Sequence, residues 1–391
     1  MEGYRSIKKV DITLNEGLNI IIGRNGSGKT NFFNFFDAAL NLKFDNYLDF
    51  NAKLTISNGD DAVISIRRKR TSVNKKSEFK NATITPNDIE YSLSLKNVDS
   101  HNKTLMKEGD FLTHPSISFQ SNIIKHGIPN DLLIIEKSYS FTIDKNGNPN
   151  MNFSFITDSS NSFFLRTMLA ELSFAFYNDT EDQISDLKFI KDKILNIFNL
   201  ALENVKSDLA KYTPIKDIKL NEGISFYFDN SKNLAIVNNI LFEFNIDDNW
   251  IPFSSLSDGT KRIFLIVTDL ACEVKYFFRK TSFGSSSSFP SRIVLIEEPE
   301  LGIHPHQLHL LMNFLKEQSR DKQIIITTHS PLAIDSISSD EFKRVIICEL
   351  TSNKGTSLVH MTKKEMNEAA EFISEGMYFS DYWRFTNFNR I

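Results

Sequence analysis

The chain has 391 residues, room for two average domains or one large domain with insertions, and its 41% hydrophobic content suffices for a substantial core. A net charge of −4 excludes a protein that is basic throughout, so any grip on nucleic acid has to come from a local patch. No run reaches the ~18 apolar residues of a membrane helix, and Met1-Glu2-Gly3-Tyr4-Arg5 opens without a signal-peptide apolar region. The expectation is a cytoplasmic protein with no membrane partner.

Residues 5–22 read as two short strands around Asn15-Glu16-Gly17, a hairpin-like turn delivering Leu18–Ile22 into Gly23-Arg24-Asn25-Gly26-Ser27-Gly28-Lys29-Thr30. That stretch fits G-x-x-x-x-G-K-[S/T] at every fixed position, with an apolar strand before it and a helix-like run, 31–40, after it. Glycines let backbone N–H groups wrap a triphosphate. The Lys29 ammonium suits the β- and γ-phosphates and the Thr30 hydroxyl suits Mg²⁺, so ATP and Mg²⁺ are the expected ligands. Asn31, at the head of the helix, completes this nucleotide-contacting set. The helix itself carries a wide apolar face of Phe32, Phe33, Phe35, Phe36, Ala39 and Leu40.

Residues 52–98 alternate apolar and polar with turns at 58–60 and 86–88, the pattern of an antiparallel β-subdomain. Between its strands, Arg67, Arg68, Lys69, Arg70, Lys75, Lys76 and Lys80 make a basic run that is either a solvated hairpin tip or a grip on a DNA backbone. Residues 100–160 look irregular; Gln120 within them is either a surface residue or a glutamine-loop ligand to Mg²⁺ and water. Helical periodicity covers 163–177 and 180–212, read as an inserted lid, with a dimer-forming arm as the sharper option. Short strands return after Pro214, the stretch 247–251 reads as a loop, and the serine-rich 282–288 reads as a flexible surface loop. Strand and helix then alternate as in a mostly parallel sheet. The two cysteines, Cys272 and Cys348, fall in apolar segments and read as small buried residues of a reducing compartment.

Four later segments match what a phosphate loop needs. In Ile293-Val294-Leu295-Ile296-Glu297-Glu298 a buried strand ends in two acids. Adjacent side chains point opposite ways, so Glu297 is assigned to Mg²⁺ and Glu298 to the general base that polarises water. The strand Ile324-Ile325-Ile326-Thr327-Thr328 delivers His329 to the γ-phosphate or the catalytic water. Ser257 and Gly259, in Leu256-Ser257-Asp258-Gly259-Thr260 before an apolar helix, form either a plain helix cap or an anion site. His304, His306 and His309 lie close together without a cysteine, and structural histidines fit better than a metal site.

In this order the segments resemble the ABC-type ATPase heads. GRNGSGKT looks like Walker A, LSDGT like the signature, IVLIEE like Walker B and TTHS like the switch-histidine loop. Glu298-Pro299-Glu300-Leu301-Gly302-Ile303-His304-Pro305 followed by TTHSP is similar to the overcoming-lysogenization-defect (OLD) ATPases and their AAA-type relatives. Glu297 stands where Asp is usual, and Asp258 and Thr260 replace the Gly and Gln of LSGGQ; both variants fit that branch. The resemblance implies an α/β P-loop NTPase head with an antiparallel β-subdomain and a helical insertion. Its lobes would be 1–100, an insertion 101–235, and 236–391. It also implies a homodimer or higher oligomer in which Ser257 of one copy completes the ATP site of another. Only about sixty residues follow His329, too few for the Toprim nuclease that OLD proteins often carry, so the expected partner is a separate nuclease or toxin. Heads of this kind occur in Septu-, retron- and PARIS-type anti-phage systems. The alternative is a RecF- or SMC-like repair head binding duplex DNA through the basic hairpin 67–80.

Overall fold

A computed structural model describes residues 1–41, 50–58, 60–68, 89–95, 123–126, 139–144, 149–150, 186–229, 234–271 and 293–386. Gln120, the expected helix at 163–177, Cys272, the serine-rich 282–288 and residues 69–80 of the basic run lie outside the described residues.

The amino-terminal elements are β1 (Glu2–Tyr4), β2 (Ile7–Lys9), β3 (Leu18–Ile22), α1 (Lys29–Asn41), β4 (Phe50–Asn58), β5 (Asp60–Arg68), β6 (Ile89–Leu95) and β7 (Ile123–His126). The middle of the chain forms β8 (Tyr139–Asp144), β9 (Pro149–Asn150), α2 (Leu187–Tyr212), β10 (Asp217–Leu220), β11 (Ser225–Asp229), β12 (Leu234–Ile240), β13 (Phe242–Ile246), β14 (Asn249–Pro252) and α3 (Asp258–Ala271). The rest forms β15 (Ile293–Glu297), α4 (Pro305–Gln318), β16 (Gln323–Thr328), α5 (Pro331–Asp335), β17 (Val345–Thr351), β18 (Gly355–His360), α6 (Lys363–Ser374) and α7 (Phe379–Thr386). None of the described helices is long and apolar enough to cross a membrane.

These elements fall into two compact units. The first comprises 1–125, 287–299 and 319–391. Its sheet runs β6-β5-β4-β1-β2-β18-β17-β3-β16-β15-β7. At the centre, β17, β3, β16 and β15 pair in parallel, whereas β18, β2, β1, β4, β5 and β6 pair antiparallel outward from β17. The sheet is therefore mixed rather than mostly parallel. The described parts of 52–98, in β4, β5 and β6, do form an antiparallel run, continuous with the main sheet.

The reason for the parallel centre is visible in β3, β15 and β16. Each is a near-continuous run of isoleucine, leucine or valine buried on both faces, as parallel strands require. This overturns the hairpin expected at Asn15-Glu16-Gly17. β3 inserts between β16 and β17 and never pairs with β2. The turn instead packs on the start of β16, whose Gln323 amide donates to the carbonyls of Asn15 (2.9 Å) and Gly17 (3.0 Å). The real hairpin is β1–β2, closed at Arg5 and Ser6 with Arg5 at φ 49°.

On one face of this sheet, Phe32, Phe33, Phe35 and Phe36 of α1 pack into a core with Tyr4, Ile7, Ile21, Leu295, Ile325, Ile346 and Leu358. Each buried phenylalanine contributes roughly 1.5–3 kcal/mol. Together the four anchor α1 on the sheet and so hold the loop before it against the strand ends.

The second unit comprises 126–286 and 300–318. Along α2, Ile190, Ile194, Phe198, Leu202, Val205 and Leu209 recur at three- and four-residue steps and are all buried. They pack with the apolar faces of α3 and α4. Two small antiparallel sheets, β10-β13-β14 and β11-β12-β8-β9, complete the unit. The stretch 247–251 is not a loop. Asp247 and Asp248, at φ 49° and 65°, make a two-residue turn between Ile246 and Asn249, and β14 follows at once.

Candidate functional site

In the first unit, β3 runs into Gly23 and the chain wraps a loop before α1 begins at Lys29. The wrap requires Gly26 at φ 78° and Gly28 at φ 106°, a region other residues enter only under strain. The Lys29 side chain is buried along the loop's inner side. Its Nζ donates to the carbonyls of Gly23 (2.7 Å) and Arg24 (3.1 Å). The Ser27 hydroxyl is buried with no hydrogen-bond partner among the described residues, while Arg24, Asn25 and Gly26 are exposed. A loop that holds a cation inward, with an orphaned hydroxyl beside it, fits a polyanion.

The acids arrive from the neighbouring strands. β16 lies between β3 and β15, with Thr328 opposite Ile22 and Thr327 opposite Glu297, so three carboxyl-terminal strand ends stand in a row. Open sheets bind ligands at such ends. Glu297 is buried and accepts a hydrogen bond from the Thr30 hydroxyl. This pair of hard oxygen donors suits Mg²⁺, which keeps some of its waters and takes phosphate oxygens as further ligands.

Glu298 leaves the strand in the left-handed region at φ 47°, while its N–H still bonds the Thr327 carbonyl at 2.8 Å. A non-glycine residue there costs about 1–3 kcal/mol and must be held by its surroundings. The turn aims its carboxylate at His329, with Oε1 3.0 Å from Nδ1. When that carboxylate is ionised it can only accept, and the donor of this contact is then a proton on the histidine Nδ1. Strand alternation alone anticipates that the two acids diverge. It does not anticipate the left-handed turn or the Glu298–His329 pair.

Ser257 and Gly259 belong to the second unit. Ser257 is exposed and caps α3: its Oγ accepts from the Thr260 N–H at 3.2 Å and lies 2.9 Å from the Thr260 hydroxyl. Gly259 sits where any Cβ would overlap the Gly302 carbonyl oxygen, so a side chain has no room there. Among the described residues no group of His, Cys, Asp and Glu could hold a metal by itself, the 304–309 histidines included. The His309 ring instead meets Asn313 at 3.2 Å.

Sequence reasoning overlooked the support beneath the loop. Thr356 on β18 donates to the Ser27 carbonyl at 2.9 Å, and the Cys348 thiol on β17 reaches the same oxygen at 3.5 Å. Neither lies in a motif; the pairing of β17 with β3, and of β18 with β17, reveals them.

Residues 18–335 match the family described as "AAA domain, putative AbiEii toxin, Type IV TA system". The "Septu protein PtuA" of Bacillus thuringiensis is similar to this chain, 22% identical over 343 residues, spanning 87% of this chain and 73% of that protein. The "Retron Vc95 probable ATPase" of Vibrio cholerae serotype O1 biovar El Tor is 23% identical over 389 residues, spanning 89% and 72%. In fold, the chain is similar to a Pyrococcus furiosus Smc head domain solved with the C-terminal domain of ScpA. The TM-score is 0.53 at 15% identity, over 95% of this chain and 98% of that one. That likeness gives the fold of an ABC-type ATPase head. With a match that runs from β3 through the phosphate loop, both glutamates and His329 to Asp335, the chain belongs to this AAA-domain family.

Proposed function

We propose that this protein binds and hydrolyses ATP with Mg²⁺, that two copies share each nucleotide, and that it regulates a separate nuclease or toxin in anti-phage defence. The observation that carries the reading is the convergence of Lys29, Thr30, Glu297, Glu298 and His329 at three neighbouring parallel strand ends. Similarity to a Septu protein and to a retron ATPase supports the defence role.

In this reading the loop amides and Lys29 hold the phosphates. Thr30 and Glu297 hold Mg²⁺, whose charge would offset that developing on the phosphate oxygens. Glu298 accepts the proton of the attacking water, and the His329 N–H fixes the carboxylate that does so. Ser257, exposed at the head of α3, supplies its hydroxyl to the nucleotide of a second copy.

Phosphate release by the purified protein with Mg²⁺-ATP, compared with Glu298→Gln, tests the chemistry. The exchange should cut turnover by roughly 10²- to 10⁴-fold while a fluorescent ATP analogue still binds. Turnover that survives the exchange would remove Glu298 from its role. Recovery of a nuclease or toxin with the tagged protein from its native host tests the regulatory part.

A further inference from the structure

Ser27 is the only residue of the phosphate loop whose carbonyl is gripped from the sheet side by two side chains, among the contacts of the described residues. One of these grips belongs to a chain of hydroxyls with a fixed direction. Thr356 has a single proton, and it goes to the Ser27 oxygen. The 2.7 Å contact between Ser6 Oγ and Thr356 Oγ1 must therefore be donated by Ser6. Ser6 in turn accepts from the Asn31 side-chain amide at 2.7 Å. The order is Asn31 to Ser6 to Thr356 to the loop.

Backbone pairing holds the relay in place. The Thr356 N–H donates to the Ser6 carbonyl at 2.8 Å, and Gly355 pairs with Ile7. Thr356 is fully buried. It also sits directly under Gly28, where an added Cβ would overlap its hydroxyl, so the side chain fills the space that the loop's φ of 106° opens.

In a trans peptide the C=O and the following N–H point in opposite directions, and the described residues include no cis bond. Drawing the Ser27 carbonyl down toward β18 therefore turns the Gly28 N–H away from the sheet, to the concave side of the loop. We propose that Thr356, oriented by Ser6 and Asn31, is a positioning residue for nucleotide binding: it locks the Ser27–Gly28 peptide so that the Gly28 N–H is ready for a phosphate oxygen. This rests on the nucleotide-site reading above. It adds a residue more than three hundred positions from the loop, on a strand with no recognised motif.

The test is titration of the full chain with a fluorescent ATP analogue, alongside steady-state hydrolysis and thermal melting without nucleotide. Thr356→Val keeps the shape under Gly28 and removes the donor. Affinity should fall roughly tenfold, as loss of one hydrogen bond warrants, with the change falling on KM more than on kcat. Thr356→Ser returns the donor and should restore affinity, although it loses the methyl group. Ser6→Ala, which does not touch the loop, should shift affinity the same way by less.

If Thr356→Val binds the analogue as wild type does, the inference fails. It also fails if Val and Ser weaken binding equally and in step with their melting temperatures, since the residue would then only fill space. Lys29→Ala separates this from the parent reading. A wild-type chain that binds no better than Lys29→Ala would sink the nucleotide site itself.

Discussion

Two helix starts in this molecule use glycine, and for different reasons. At the head of α1, Gly26 and Gly28 are needed for backbone angles no other residue adopts freely, and the loop they shape holds the Lys29 ammonium and leaves the Ser27 hydroxyl without a partner among the described residues. At the head of α3, Gly259 has ordinary angles and is needed only because Gly302 leaves no space for a side chain. The first glycines make a cradle by conformation; the second makes a flush surface by packing. The cradle's groups are held within one unit, whereas Ser257, in the other, is exposed and among the described residues bonds only within its own helix cap. An exposed capping serine leaves its hydroxyl open to the second copy proposed above.

The sharpest way to break that comparison is at Ser257. If its hydroxyl stabilises the nucleotide of another copy during hydrolysis, Ser257→Ala should lower turnover by roughly 10²- to 10³-fold, the usual cost of one transition-state donor. The same change removes a helix cap, at a cost of about 1 kcal/mol in stability. Ser257→Asn caps equally well, so it should keep the melting temperature and still lose turnover and nucleotide-dependent dimerisation in sedimentation velocity. If Asn hydrolyses normally, Ser257 is a cap and nothing more.

A smaller effect separates the two kinds of glycine. Gly259→Ala forces a backbone carbonyl aside and should destabilise the protein by about 1–3 kcal/mol in urea unfolding, as overpacking does. Gly26→Ala meets nothing within 4 Å, so its cost is backbone strain alone, about 1–2 kcal/mol. The Gly26 change should also weaken nucleotide binding; the Gly259 change should not.

The loop was legible because its own residues are local: the glycines that bend it and Lys29 lie within eight consecutive positions between an apolar strand and an aromatic helix. Glu297, Glu298 and His329 were legible because buried strands end in them. What the sequence hid depends on which strands become neighbours. Nothing around Thr356 or Ser6 distinguishes it, and their meeting follows from β18 pairing with β2. The false hairpin at 15–17 has the same origin, since turn residues mark a change of direction but not the partner strand. The carboxyl-terminal aromatics divide for tertiary reasons too: Phe379 and Tyr382 are buried while Tyr378 and Phe385 are exposed.

The smallest effect concerns Cys348, which has no counterpart at the α3 cap. Burial beneath the loop pushes its thiol above the ordinary value of 9.0, against a lowering by its contact with Ser27. The unfolded thiol ionises near 9.0 while the folded one keeps its proton, so the unfolded state gains as pH rises past 9 and stability is lost in that window. Tyr382, raised from 10.0 to about 12 by burial and then by its bond to Glu368, brings a similar loss only between pH 10 and 12. Urea midpoints measured from pH 8 to pH 10 therefore isolate the cysteine. Wild type should weaken across that range more than Cys348→Ala does. Equal slopes for the two proteins would show that the loop does not depend on the protonated thiol beneath it, and the support would then rest on Thr356 alone.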